Sequence, residues 1–483
     1  MKSLPALSPA VLAAVLAAVL ALAGPPAAVH AQTTAPAALD GTWHGTLDTG
    51  GQQLTVVFHL KRKGEGDALT ATMDVPQQSA SGVLVSDVRA TGDSLRLEVA
   101  QIGGVFKGTR TTDGPIDGTW RQSGASFPLV LRKGAPETSE AETSGEADAP
   151  DRPQTPEPPF PYEREDATFR NADAGVTLAG TLTTPEGEGP HPAVVLVSGS
   201  GPQNRNGVVA GHETLHVLAD ALTRRGIAVL RYDERGVGES TGSFSGATTE
   251  DFAGDVRAAL DWLRQREGLG KIGVVGWSEG ALVAPMLAAR SSALPDFLVL
   301  MGAPGVPGKQ ILLKQRALIA EAQGAPPASL DSIRAAQERL LSAAAQAPDS
   351  AAAAAQVRRL LRARQTDAQT IDKQIQQYTD PWFRQFMRHD PRPALRQTDA
   401  PVLALYGEHD LQVPPAQNAD PLRKALAGNP DATVEVLPGL NHLFQPADTG
   451  LPSEYGQIEA TIAPKALDAI AGWIAERTRA GGE

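Results

Sequence analysis

Apolar and polar positions alternate with two different periods along this chain, and the change of period divides it. Between about residues 39 and 133 the period is two. Gln53 to Leu60, Ala68 to Val75, Ser94 to Val99 and Phe127 to Leu131 read as short strands. Turn signals at Gly64-Glu65-Gly66, Thr91-Gly92-Asp93 and Asp113-Gly114 separate them. No helical period appears there. Asp40-Gly41-Thr42-Trp43 recurs as Asp117-Gly118-Thr119-Trp120. The repeat is expected to mark the first and last strands of a small barrel or bent sheet, with a tryptophan from each filling the interior. About eight short strands leave little room inside beyond side chains, so a packed accessory domain is expected over a ligand-holding barrel.

From about residue 162 apolar runs alternate with amphipathic segments, the signature of a mostly parallel sheet with helices on both faces. Val176 to Thr183 reads as the opening strand. Ala193 to Val197, Ile227 to Tyr232, Ile272 to Val275, Phe297 to Met301, Val402 to Tyr406 and Thr433 to Leu437 follow as further strands. Helices are predicted over about 212–225, from Thr249 through Leu263, from Ala281 to Arg290 and from Pro464 to Arg477. The alternation stops at about 309–396. That segment is rich in Ala, Gln, Arg and Leu, has helical spacing, and closes on Pro381-Trp382-Phe383-Arg384-Gln385-Phe386. A helical insertion between two sheet strands is expected as a lid over the strand ends.

The ends of these blocks have their own composition. Lys2, the apolar run Val11 to Ala23, the breaker Gly24-Pro25-Pro26 and the small residues of Val29-His30-Ala31 read as a signal peptide over 1–31. A soluble exported protein, periplasmic or extracellular and without stable membrane insertion, is expected. Residues 134–160 combine acidic residues from Glu137 to Asp151 with Pro153, Pro156, Pro158 and Pro159, and read as a linker before a catalytic domain over 162–480. The net charge of −12 argues against nucleic acid as a partner. With no cysteine, disulfides, thiolate ligands and a thiol nucleophile are excluded. Neither a metal-ligand set nor a phosphate-binding loop is present in the sequence, so no cofactor is expected.

The chemistry centres on Gly276-Trp277-Ser278-Glu279-Gly280, which joins an apolar strand to a helix-forming run. Strand, tight turn and helix are the context of a nucleophile elbow. A serine hydroxyl needs a base to take its proton, and the base needs a group to orient it. Of the nine histidines, His409 and His442 follow the elbow at the ends of later strands. His442 lies in a Gly/Asn turn past the last strand and is taken as the base, with His409 second. Asp410 ends the preceding strand and is taken as the acid, with Glu408 as its nearest rival. The chain order Ser278, Asp410, His442 is the one such an elbow carries. Two backbone amides are expected to receive the oxyanion. One belongs to Glu279; the other, assigned to Ser200, lies in Ser198-Gly199-Ser200-Gly201 directly after a buried strand.

These pieces, with Ser198-Gly199-Ser200-Gly201-Pro202-Gln203-Asn204-Arg205, Arg231-Tyr232-Asp233-Glu234-Arg235-Gly236-Val237-Gly238-Glu239-Ser240, Pro381-Trp382-Phe383, Gly407-Glu408-His409-Asp410 and Asn441-His442, give a resemblance. The chain resembles the secreted bacterial α/β-hydrolase carboxylesterases that carry an N-terminal β domain. The resemblance spans about 39–480 and is sharpest over 194–445. It implies an α/β-hydrolase fold with a helical lid, preceded by a small all-β, barrel-like domain. It also implies hydrolysis of short-chain carboxylic esters, small molecules, through Ser278, Asp410 and His442. Ala281 departs from the further glycine such sequences often carry, and the alanine-rich insertion carries no substrate specificity over. A serine peptidase of the same fold, acting on short peptides or aminoacyl substrates, has the same triad. A non-catalytic ligand-binding protein is the reading of a different class, and an intact triad argues against it.

Overall fold

A computed structural model of the chain describes residues 39–134, apart from short stretches between strands, and residues 151–479, apart from 291–294 and 364–367. The expected signal segment 1–31 and most of the acidic stretch before Asp151 lie outside the described residues. The chain divides into two compact units, Met1–Asp148 with Asp367–Gln377, and Ala149–Thr366 with Tyr378–Glu483.

Among the described residues the first unit holds nine strands: β1 (Gly41–Asp48), β2 (Gln53–Arg62), β3 (Leu69–Val75), β4 (Ala80–Val85), β5 (Asp87–Thr91), β6 (Ser94–Val99), β7 (Gly104–Arg110), β8 (Ile116–Gln122) and β9 (Ala125–Lys133). They form one sheet in the order β4-β3-β2-β1-β9-β8-β7-β6-β5, antiparallel throughout. Its two edges come together, β3 against β5 and β4 against β6, so the sheet is nearly closed. Period-two alternation sends one face of strands such as β3 and β6 inward. Trp43, Phe58, Phe106 and Trp120 are each at most 1% exposed there, and the Phe58 and Trp120 rings lie 6.2 Å apart. The tryptophans fill the interior, but the repeat does not mark the two ends of the sheet. Trp120 sits on β8; β9 follows it and pairs with β1 through Trp43↔Lys133 and His44↔Arg132. The Gly-x-Trp repeat therefore records a shared packing role, a large ring against the same core, and not a shared place in the chain.

The second unit contains β10 (Tyr162–Asn171), β11 (Val176–Pro185), β12 (His191–Val197), β13 (Val208–Val209), β14 (His212–Glu213), β15 (Ala228–Tyr232), β16 (Leu269–Trp277), β17 (Leu298–Met301), β18 (Val402–Gly407) and β19 (Ala432–Leu437). The main sheet runs β10-β11-β15-β12-β16-β17-β18-β19, with β13 and β14 forming a separate pair. β11 is antiparallel to both of its neighbours, β10 and β15, and every pair from β15 onward is parallel. β15, β17 and β18 are buried along their whole length, as strands covered on both faces must be. The opening strand expected at Val176 is in fact the second. β10 precedes it, and its charged residues face solvent on an edge, which hides it from a search for apolar runs.

The helices are α1 (Thr214–Thr223), α2 (Thr249–Leu263), α3 (Gly280–Ala288), α4 (Gly308–Ala322), α5 (Pro327–Gln346), α6 (Ser350–Arg362), α7 (Ala368–Thr379), α8 (Pro381–Arg388), α9 (Arg392–Arg396), α10 (Pro415–Ala425) and α11 (Pro464–Thr478). The helices α4 to α9 form the insertion between β17 and β18. The later part of the expected linker is docked. Arg152 donates to the carbonyls of Gly456 and Ile458, and the Gln154 amide bonds the backbone of Thr461 and Ile462. Among the described residues no helix is long and apolar enough to cross a membrane.

Candidate active site

Parallel strands end at one edge of the sheet, and the loops leaving that edge carry the site. β16 ends at Trp277 and α3 begins at Gly280, so Ser278 and Glu279 make the whole turn. Ser278 has φ of +54°, a left-handed conformation costing a non-glycine residue about 1–3 kcal/mol. Its amide donates to the Met301 carbonyl at 2.8 Å, extending the β16–β17 pairing by one residue. The flanking glycines make the turn possible. A Cβ on Gly276 would lie 2.2 Å from the Gly280 carbonyl oxygen, and one on Gly280 would lie 2.4 Å from that of Val197.

His442 lies in the loop after β19, and Asp410 in the loop after β18. The imidazole Nδ1 is 2.7 Å from Asp410 Oδ2, with the two residues 5% and 1% exposed. The other Asp410 oxygen accepts the amides of Gln412 and Val413 at 2.8 Å each, which fixes the carboxylate and leaves Oδ2 for the histidine. Two contacts tie this pair to the elbow. Trp277 donates its indole N–H to the His442 carbonyl at 3.1 Å. Gly302, the residue after Met301, has φ of +58°, and a Cβ there would lie 3.0 Å from His442 Cε1 and 3.6 Å from Asp410 Oδ2. The imidazole thus rests on the backbone next to the one that holds Ser278. The structure pairs His442 with Asp410 and ties that pair to the elbow that carries Ser278 through Trp277 and Gly302. His409 and Glu408 are turned to other partners: the His409 ring bonds the Ala447 carbonyl at 2.8 Å and Glu408 accepts the Gly439 amide at 2.9 Å.

The His442 loop is braced from beneath. Asn441 Oδ1 accepts the amides of Leu443 and Gln445, and Asn441 Nδ2 donates to the Gln445 side chain. Gln445 packs on His212, whose ring also reaches Thr461 Oγ1 and the Tyr455 carbonyl. Burial lowers the pKa of His212. Sequence reading missed the His212 brace, because it joins segments more than 230 residues apart in the chain.

On the other side of Ser278 runs the loop after β12. A Cβ on Gly199 would lie 3.4 Å from Ser278 Cβ, so the loop passes directly against Ser278. Among the described residues the amides of Ser200 and Glu279 have no hydrogen-bond acceptor, as oxyanion donors require. The Glu279 carboxyl is buried and accepts Thr249 Oγ1 at 2.7 Å, Trp382 Nε1 at 2.6 Å and the Ser200 side chain. Burial raises its pKa. Trp382 belongs to α8, so the insertion reaches the elbow. Its ring stacks on Phe386 at 5.5 Å.

Sequence reading also left unassigned the charged triplet after β15, and each member is buried and engaged. Asp233 pairs with Arg205 at 2.7 Å, and Arg235 with Asp255 at 2.7 Å. Glu234 accepts Ser198 Oγ at 2.6 Å and the Gln203 amide at 2.9 Å. Burial pushes its pKa up to about 8. Three consecutive charges at the end of a buried parallel strand were the available signal.

A serine held on an elbow between strand and helix, within an eight-stranded sheet of this order, defines a serine hydrolase of α/β-hydrolase fold. The chain belongs to the family described as X-Pro dipeptidyl-peptidase (S15 family), which it matches over residues 174–429. It is also similar to esterase EstD of Thermotoga maritima. The two are 25% identical over 317 residues, covering 65% of this chain and 68% of the relative. It is an esterase-like hydrolase. Among solved structures, the proline iminopeptidase of Mycobacterium smegmatis aligns at 20% identity and a TM-score of 0.40, covering 65% of this chain and 99% of that one. An esterase of Pyrococcus furiosus aligns at 17% identity and a TM-score of 0.42, covering 66% and 92%.

Proposed function

We propose that the chain is a serine carboxylesterase that hydrolyses short-chain carboxylic esters through an acyl-enzyme on Ser278. The observation that carries this reading is the buried Asp410–His442 hydrogen bond beside a serine held at positive φ. His442 takes the Ser278 hydroxyl proton as Oγ bonds to the ester carbonyl carbon. The carbonyl oxygen gains the negative charge and is received by the amides of Glu279 and Ser200. Collapse breaks the bond to the alcohol, which leaves with the proton from His442. Water, deprotonated by the same histidine, then attacks the acyl-enzyme and releases the acid. Asp410 holds the imidazole through Nδ1 and stabilises its charged form.

The family description favours a second reading, a peptidase of the same triad. A peptidase that recognises a free N-terminus needs a carboxylate for the ammonium. The Glu279 carboxyl already accepts three donors, which leaves it poorly placed for that role and supports the ester reading. Turnover of a p-nitrophenyl ester series, run beside aminoacyl and X-Pro p-nitroanilides with the wild type and Ser278→Ala, tests both. The expected outcome is ester turnover peaked at short acyl chains, slower anilide cleavage, and loss of both in the variant. Faster anilide cleavage assigns the peptidase; turnover surviving in Ser278→Ala removes the nucleophile assignment. We also propose export, supported by the composition of residues 1–31. The protein expressed with that segment in a Gram-negative host is expected to begin at Gln32 by mass measurement of the intact chain.

A further inference from the structure

The oxyanion loop has a feature that its turn geometry does not require. Ser198 and Gln203 stand at its two ends, and both bond to one buried carboxyl. Ser198 Oγ reaches Glu234 Oε1 at 2.6 Å, and the Gln203 amide reaches Oε2 at 2.9 Å. The Glu234 amide returns a bond to the Gln203 carbonyl at 3.1 Å, so Gln203 is grasped at both backbone polar groups. Two residues beyond the loop, Arg205 is fixed on Asp233, and the Ser198 carbonyl accepts the Gly280 amide at 3.0 Å. Between these ends sits Ser200, with its side chain on Glu279 and its amide free of an acceptor.

A carboxyl is an expensive group to bury for two hydrogen bonds that any polar side chain or water offers. What it supplies is geometry. One rigid, planar group with two oxygens sets the separation of the loop ends, and hence the path of the chain between them. An oxyanion hole depends on that path, since its donors must already stand where the charge develops.

We propose that Glu234 is a positioning residue of the oxyanion hole: its carboxyl ties both ends of the Ser198–Gln203 loop and so fixes the Ser200 amide against the tetrahedral intermediate. The inference rests on the reading of Ser278 as nucleophile given above. Glu234 does not touch the substrate. Glu279 supplies the tie in the middle of the loop, and through Trp382 joins the same loop to α8.

The test compares wild type, Glu234→Ala, Glu234→Gln, Ser198→Ala and Ser278→Ala on p-nitrophenyl acetate, with melting temperature recorded for each. Removing an oxyanion donor outright lowers kcat by about 10²–10³, so loosening one is expected to lower kcat about ten- to a hundredfold in Glu234→Ala, with KM within about threefold. Glu234→Gln is expected to keep kcat within about threefold, since its amide offers a donor to Ser198 Oγ and an acceptor to the Gln203 amide. The affinity of an alkyl boronic acid, which becomes tetrahedral on serine, is expected to fall with kcat in the alanine variant and to return in the glutamine variant. A wild-type kcat in folded Glu234→Ala overturns the proposal, as does an equal loss in the alanine and glutamine variants. If Glu234→Ala does not fold, Ser198→Ala removes one tie and leaves the acid in place. It is expected to lower kcat about three- to tenfold at unchanged KM, below the loss from deleting a donor; an unchanged kcat overturns the proposal. Turnover surviving in Ser278→Ala overturns the nucleophile reading and this inference with it. Loss in Ser278→Ala beside a wild-type Glu234→Ala overturns this inference alone.

Discussion

Single residues in this site act through where their backbone can go. Gly302 is the clearest case, since its φ of +58° and the imidazole over it both demand a missing Cβ. Gly302→Ala is expected to push His442 off its position and lower kcat about ten- to a hundredfold, a loss on the scale of misplacing a catalytic group by about 1 Å. A pH-rate profile checks it: activity should not return at any pH, because the defect is placement and not ionisation. Asp410→Asn is expected to keep the fold and to lower kcat by about three to four orders of magnitude, since the amide holds the wrong imidazole tautomer. Glu234 carries a pH signature of its own. Its ordinary pKa is 4.5 and burial raises it to about 8 in the folded protein. Between these values the folded state keeps a proton that the unfolded chain releases, so stability falls as pH rises through that window and levels off above it. Glu234→Gln removes this slope. Its melting temperature relative to wild type is expected to be higher at pH 8.5 than at pH 5, and equal differences at both pH values would refute the assignment.

At the scale of elements, the strands of the catalytic unit were legible because buried parallel strands are continuous apolar runs between turn residues. The candidate triad was legible for a related reason. Ser278 and Asp410 stand directly after such runs, so locating the strand located the residue; His442 follows β19, a half-exposed strand, and was marked by its Gly/Asn turn. β10 escaped because an edge strand that shows charges to solvent lacks that run. The helical insertion was legible as helix, but its seating was not. Asp380 caps α8 by accepting the Phe383 amide at 2.9 Å, and Gln385 accepts the Thr249 amide at the start of α2. Arg384 and Arg388 hold backbone carbonyls from Ala344 to Ala347 at the end of α5. These contacts present Trp382 to Glu279. Trp382→Ala is expected to remove the ring that stands on Glu279 at the elbow and to shift preference across a p-nitrophenyl ester series toward longer chains. An unchanged ratio of kcat/KM between acetate and hexanoate would exclude Trp382 from the acyl pocket.

At the scale of the whole molecule, the chain has separate cores. The barrel encloses its own cluster, from Leu39 and Trp43 to Leu131, while the catalytic sheet has a cluster on each face. Trp120→Ala deletes a ring that is 1% exposed and is expected to destabilise the barrel by about 3–5 kcal/mol. Calorimetry with ester turnover on the same samples checks the site's independence of that core: the barrel transition should fall while turnover at 25 °C is retained. The Gly-x-Trp repeat shows how a local signal misleads at this scale. It identified two residues with the same environment, but strand order in a sheet is set by which edges find each other, and β9 paired with β1 after the repeat had ended.

The sequence by itself determined the strands of the main sheet other than β10, the insertion and the candidate residues at the strand ends, because each depends on contacts between near neighbours: period, turn chemistry and the glycines of the elbow. The tertiary structure alone decided what surrounds those residues. Gly302 beside the imidazole, Glu234 across the Ser198–Gln203 loop, Glu279 between the elbow and α8, and His212 against Gln445 all act across distant parts of the chain. A buried polar group is satisfied by whatever the fold brings within about 3 Å. No pattern along the chain encodes that partner, so it becomes visible when the sheet has closed.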